Sequence, residues 1–223
     1  MSTTKERLDL LSRWLDDLEG RGTTNHKEDR GALTRRGMIQ SDADRYCDWK
    51  GIPRRSVMDL TEDQLEEVRV VVYFIPLGCA VLPEPLDWLL YQWGLLQEGV
   101  APKGLQRAVG VSPDGNIGPV TVKAVEACGA KTVSSLLLDN QVSSCRGVVE
   151  RSNERVATWL KSLEGGAQNS KPQDQRAFAL GWVNRCTKAA SLCGLDWKPL
   201  PQELAWAEAQ TADYKGGKPP KLA

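Results

Sequence analysis

Residues 85–96 constrain the fold more than any other stretch, because Leu86, Leu89, Leu90 and Trp93 leave them apolar on nearly all sides. A helix of that kind is buried all round, so the remaining chain must supply elements to surround it. Gly99 ends it. Elsewhere the apolar residues recur at helical spacing. Leu8, Leu11, Leu15 and Leu18 form one stripe, widened by Trp14, in a segment that Thr3 and Glu6 open as a capping box and Gly20 closes.

The same reading continues along the chain. Ser41 is expected to cap a short helix carrying Tyr46 and Trp49, stopped by Gly51 and Pro53. Thr61 with Gln64 opens another, carrying Leu65, Val68 and Val72 and closed by Pro76. A short helix through Leu105 and Gln106 leads into a turn, Ser112-Pro113-Asp114-Gly115, and Pro119 sits where a first helical residue should. A long helical stretch over 133–163, a polar connection over 165–175 and a last helix with Phe178, Trp182 and Val183 follow; 214–223 reads as a loose tail. No stretch alternates strictly enough for more than a small hairpin, and no repeat of solenoid length is visible. The expected fold class is mainly α.

With 41% hydrophobic and 26% charged residues, the 223-residue chain can bury a sizeable core. Lys+Arg and Asp+Glu balance at 29 each, so no overall field draws it to nucleic acid or to an anionic membrane. The six cysteines include no CxxC pair, which argues for buried thiols over zinc or redox sites. Neither a cofactor nor a metal is expected, and a monomer is. The N-terminal residues lack the apolar core of a signal peptide, and no run approaches the ~18–20 apolar residues of a membrane span. Cytoplasmic synthesis is therefore expected, with another agent needed for release if the substrate lies outside.

Periodicity disappears over 21–38, where a structured loop or small hairpin is expected. Glu19, just before it, lies four residues from Leu15 and eight from Leu11, at the edge of the apolar stripe and the end of its helix. Partial burial and the negative end of the helix dipole both favour a protonated carboxyl, which is what a general acid must offer a glycosidic oxygen. A solvated helix-end residue is the competing reading.

The loop decides between them. It reads Glu19-Gly20-Arg21-Gly22, then Asn25, then Asp29-Arg30-Gly31-Ala32-Leu33-Thr34-Arg35-Arg36-Gly37-Met38. This resembles the N-terminal signature of the phage and prophage muramidases of glycoside hydrolase family 108. Asp59-Leu60-Thr61, Leu105-Gln106 followed by Asp114-Gly115-Asn116-Ile117-Gly118-Pro119, and Gly181-Trp182-Val183-Asn184-Arg185 resemble later landmarks of that family, in the same order. Arg21 stands where the family commonly has Gly, Ala32 replaces a second Gly, and Gln97 sits where Asn is expected.

The resemblance implies a lysozyme-like helical fold and cleavage of the β-1,4 bond between N-acetylmuramic acid and N-acetylglucosamine. It implies a catalytic region over 1–100, a helical peptidoglycan-binding region over 101–195 and a partly disordered extension over 196–223. Glu19 aligns with the glutamate on which the family's activity depends. Asp29 and Thr34 complete an arrangement like that of the phage lysozymes, Asp29 stabilising an oxocarbenium-like state or activating water and Thr34 holding that water. A loop salt bridge for Asp29 and a turn cap for Thr34 remain open. Asn25, Gly31 and Gln97 are the implied substrate-binding residues, and an endolysin released by a holin is the implied role.

Other residues offer less. His26 is the only histidine, and without clustered acids or thiols it supports neither a metal site nor a Ser-His-Asp triad. Tyr46, Trp49, Trp88, Tyr91, Trp93 and Trp182 could stack on sugar rings or fill the core. Arg35, Arg36, Arg54 and Arg55 could meet acidic peptide stems or lie as solvated surface.

Overall fold

The computed structural model describes residues 4–19, 23–24, 34–165, 170–218 and 220. They are mainly helical, with one antiparallel pair of two-residue strands, β1 (Thr23–Thr24) and β2 (Thr34–Arg35), in register Thr23 to Arg35 and Thr24 to Thr34. Both the helical class and the small hairpin agree with expectation. Among the described residues no helix is long and apolar enough to cross a membrane, and no group of three or more His, Cys, Asp or Glu side chains could hold a metal ion.

The chain forms two compact units, the first running to Leu137 and the second from Leu138. The first is built around α4 (Leu86–Gln97), in which every residue from Leu86 to Gly94 is buried. α1 (Thr4–Glu19) turns Leu11 and Leu15 inward, each about 1% exposed. α2 (Gln40–Lys50) ends at Gly51, whose φ of 67° is the left-handed cap that glycine adopts without steric cost. Its N-terminus differs from expectation. Ile39, not Ser41, is the cap residue, and the Asp42 carboxylate three residues on accepts from the Ile39 N–H at 2.9 Å.

α3 (Glu62–Val68) opens with the expected box, Thr61 Oγ1 accepting from Gln64 N and Gln64 Oε1 from Thr61 N. It continues as a π-helical run, Arg69–Phe74, in which Ile75 N reaches back to Val70 O. α5 (Ala101–Ala108) packs on α4 through Gly104, where a Cβ would stand 2.2 Å from the Trp93 ring. α6 (Pro119–Cys128) begins at proline as expected, and α7 (Ala130–Glu164) contains the boundary between the units.

In the second unit α8 (Ala179–Leu192) and α9 (Pro201–Lys215) pack on each other and on the single turn Gln175–Phe178. The extension over 196–223, expected to be partly disordered with a loose tail over 214–223, contains a helix, α9, over Pro201–Lys215. Pro201 supplies a preorganised first turn, Ala207 is fully buried, and the Thr211 hydroxyl accepts from Leu180 N and donates to Arg176 O. Its sequence shows no clean apolar stripe because its buried residues, Ala207 and Thr211, are small or polar. Buried Asp174 and Arg176 form a forked ion pair, and Arg176 also donates to Lys218 O at 2.9 Å, holding the chain beyond α9.

Of the six thiols, Cys47, Cys79, Cys145 and Cys186 are buried as expected; Cys128 is exposed and Cys193 partly so. Burial raises the pKa of Cys186 well above the ordinary thiol value, so it behaves as a small apolar filler.

Candidate active site

α1 is fixed to α4 at its first turns. The Arg7 guanidinium forks onto Asp87 at 2.8 and 2.6 Å and lies over the Trp14 ring, which in turn meets Trp88 edge-on at 5.5 Å. The helix runs on from there to end at Glu19.

One turn before Glu19 lies a cluster of charge that the sequence reading missed. Asp16 is 9% exposed, and both its oxygens accept from Arg36 Nη2, at 2.7 and 2.8 Å, while Arg69 Nη2 adds a third bond at 3.0 Å. Arg69 also donates to Ser12 Oγ at 2.7 Å and Glu66 at 3.2 Å; Ser12 itself donates to Glu66. Arg36 reaches Glu62 and Glu66, each at 2.8 Å. Burial pushes the Asp16 carboxyl upward, but the two guanidiniums outweigh it and hold the group below the ordinary carboxylate value. The available signal was a charged residue inside an apolar stripe: Asp16 falls eight residues after Leu8, and Arg69 four after Leu65.

Arg36 follows β2 directly. Arg35 and Met38 exchange backbone hydrogen bonds at 3.0 Å, and both residues between them have positive φ, 51° at Arg36 and 80° at Gly37. Arg35 donates to the carbonyls of Met58 and Leu60 and to Glu62. The expectation of surface, or of a partner for acidic peptide stems, is thus corrected for Arg36, which is buried; Arg35 is half-buried and paired at the surface with Glu62. Arg54 pairs with Asp48 through two bonds, leaving Arg55 as an exposed cation of that set.

A groove of about 820 Å³ runs along α1 and α3, with Leu8, Asp9, Arg13, Asp63 and Trp49 among its walls. Trp49 is 61% exposed and stacks on Tyr46 at 6.2 Å, and Tyr46 is itself buried and hydrogen-bonded to Glu67 and Lys50. The other proposed stacking rings of this unit, Trp88, Tyr91 and Trp93, are buried in α4. Trp182 stacks on Phe178 in the second unit.

The expected site residues fall as follows. Glu19 closes α1, and Thr34 lies in β2 opposite Thr24; the side chains of both lie outside the described residues, as do Asn25, His26, Asp29 and Gly31 altogether. Gln97 ends α4, where its side-chain oxygen accepts from Trp93 Nε1 at 2.9 Å. The Asp114-Gly115-Asn116 segment is a stapled turn: the buried Gln106 amide donates to Asp114 at 2.6 Å and Asn116 O at 3.0 Å, and accepts from Gly115 N at 2.7 Å.

The family described as Glycosyl hydrolase 108 matches residues 13–97, and the one described as Predicted Peptidoglycan domain matches residues 100–187. The solved structure titled "Structure of Brucella abortus SagA" resembles this chain with a TM-score of 0.59 and 21% identity, over 95% of this chain and 99% of that one, and shares its fold. No curated protein matches the chain.

Proposed function

We propose that this chain, whose residues 13–97 match glycosyl hydrolase family 108 and whose residues 100–187 match a peptidoglycan domain, is a peptidoglycan-hydrolysing muramidase with Glu19 as its proton donor. The observation that carries the proposal is the position of Glu19 as the last residue of α1, a helix anchored to the core along its length. The negative end of a helix dipole disfavours a carboxylate, and an acid that stays protonated near neutral pH can protonate the leaving oxygen of a glycosidic bond.

The roles of Asp29 and Thr34 follow from what cleavage by water requires. Protonation of the leaving oxygen leaves positive charge on the anomeric carbon, which an ionised Asp29 stabilises directly or through an activated water, and the Thr34 hydroxyl orients that water. Asn25 and Gly31 line the sugar in this reading, and Trp49 offers a ring face to it. Gln97 contacts substrate only through what its bond to Trp93 leaves available. In biological terms the enzyme is an endolysin, made in the cytoplasm and reaching the wall with the aid of a holin.

Glu19→Gln keeps the size of the side chain and removes the proton. The variant should lose wall lysis while its circular dichroism and melting temperature stay at wild-type values; substantial remaining lysis would sink the assignment. Mass spectrometry of digested wall tests the water mechanism. Reducing N-acetylmuramic acid ends are expected, and predominantly 1,6-anhydro ends would show that the muramyl C6 hydroxyl attacks instead. Lysis of a host only when a holin is co-expressed tests the biological role.

A further inference from the structure

We propose that Asp16, Arg36 and Arg69 are positioning residues for catalysis, clamping the exit of the β1–β2 hairpin onto the last turn of the helix that ends in Glu19. The proposal rests on Glu19 as the acid.

Three features indicate that the cluster serves geometry more than stability. The first is burial. Arg69 is 2% exposed, Arg36 8% and Asp16 9%, and taking charges out of water costs so much that apolar side chains of the same volume often stabilise equally well or better. The second is incomplete satisfaction, since Nε of both arginines is buried with no hydrogen-bond partner among the described residues. A cluster selected for stability alone would not leave two buried donors unmatched.

The third is the backbone. Arg36 is the only non-glycine residue with positive φ among those described, and with Gly37 it forms the centre of a tight turn closed by Arg35 and Met38. Turns with two such residues favour Asn-Gly or Gly-Gly, so an arginine is held there against its own steric preference. Residues held in sparsely populated backbone regions cluster at functional sites. What the arginine gains is a guanidinium directed at Asp16, and Arg69 Nη2 also lies 3.4 Å from the Arg36 carbonyl, holding the turn from its other side.

The consequence for the chemistry is positional. Residues three apart on a helix are neighbours, so Asp16 stands beside Glu19 on α1. Arg36 is two residues after Thr34, and the stretch joining β1 to β2 contains Asp29. The bonds from Arg36 Nη2 to both Asp16 oxygens therefore fix the acid's helix against the turn that follows the strand of Thr34. Arg69 opens the π-helical run after α3 and ties both to the core.

The deciding variant is Arg36→Gly, which removes the guanidinium while relieving the positive-φ constraint. Steady-state kinetics on soluble glycan fragments and thermal melting would be measured beside Glu19→Gln. The expected result is a lowered melting temperature, because buried Asp16 loses one of its two cationic partners, with the variant still folded at the assay temperature, kcat reduced by about 100-fold, the scale of an ångström-level misplacement, and KM changed little. Arg36→Lys, which keeps the charge without the second nitrogen that reaches Glu62, should recover part of kcat. Wild-type kcat in Arg36→Gly, or a loss wholly in KM, overturns the clamp while an inactive Glu19→Gln leaves the acid assignment standing. An active Glu19→Gln overturns the reading beneath it. Should Arg36→Gly fail to fold, the isosteric Asp16→Asn is read in its place by the same kcat criterion.

Discussion

Trp49 is placed by its neighbours in a way that its identity alone does not specify. The buried Tyr46 beneath it is pinned by Glu67 and Lys50, so the exposed indole rests on a fixed ring. Pyranose rings present C–H faces that stack on such a platform, and a contact of the strength of an aromatic pair is ~0.5–1.5 kcal/mol. Trp49→Ala should therefore raise KM for glycan roughly two- to tenfold with kcat almost unchanged, because a platform distant from the reacting bond binds substrate and transition state alike. An unchanged KM would remove Trp49 from the glycan path.

At the scale of elements, the turn that follows α5 shows how a motif can carry structure. Gln106 is 1% exposed, and its amide satisfies Asp114, Asn116 and Gly115 together. Truncation would leave the Gly115 N–H without its acceptor and the Asp114 carboxylate with only the Asn116 N–H as a donor within the turn. Gln106→Ala should cost ~1–3 kcal/mol, a fall in melting temperature of roughly 2–4 °C per kcal/mol for a chain of this size. A variant that melts with wild type but binds wall less would mean that the segment contacts ligand instead. Gly78 belongs to the same seam, since its φ of 76° and a Cβ position 2.5 Å from Ile117 both require glycine.

Across the molecule, stability should depend on acid through the carboxylates of the ion network. Asp16 is held below its ordinary value despite burial by Arg36 and Arg69, and Glu62, despite its own desolvation, by Arg35 and Arg36. A folded-state pKa below the unfolded one adds stability that is fully present above the unfolded value and lost as pH falls through the folded one. Melting temperature should therefore drop as pH is lowered through and below the carboxylate range, and drop less steeply in Asp16→Asn. Asp42 acts in the opposite sense, because burial raises its pKa more than the bonds from Tyr73 and Ile39 lower it. Identical acid profiles in wild type and Asp16→Asn would show that the network does not set this dependence.

The helical class, α4 as the central helix, the Thr61-Gln64 box, the Gly51 stop and the proline start of α6 were all legible in the chain, because each follows from spacing or from one residue's backbone preference. So was Glu19 at the end of α1, since a stripe and a following glycine mark a helix end without reference to anything distant. What only the tertiary structure decided depends on residues far apart in sequence. Asp16, Arg36 and Arg69 carry no local mark of partnership, and Arg36 looks like surface until α1 and α3 close over it. The same holds for Trp49 against Trp93, which have the same side chain, one left exposed at the end of α2 and the other covered by α5 at Gly104. Periodicity reports which face of an element turns inward; which charges meet there, and which rings remain uncovered, is settled only when the elements pack.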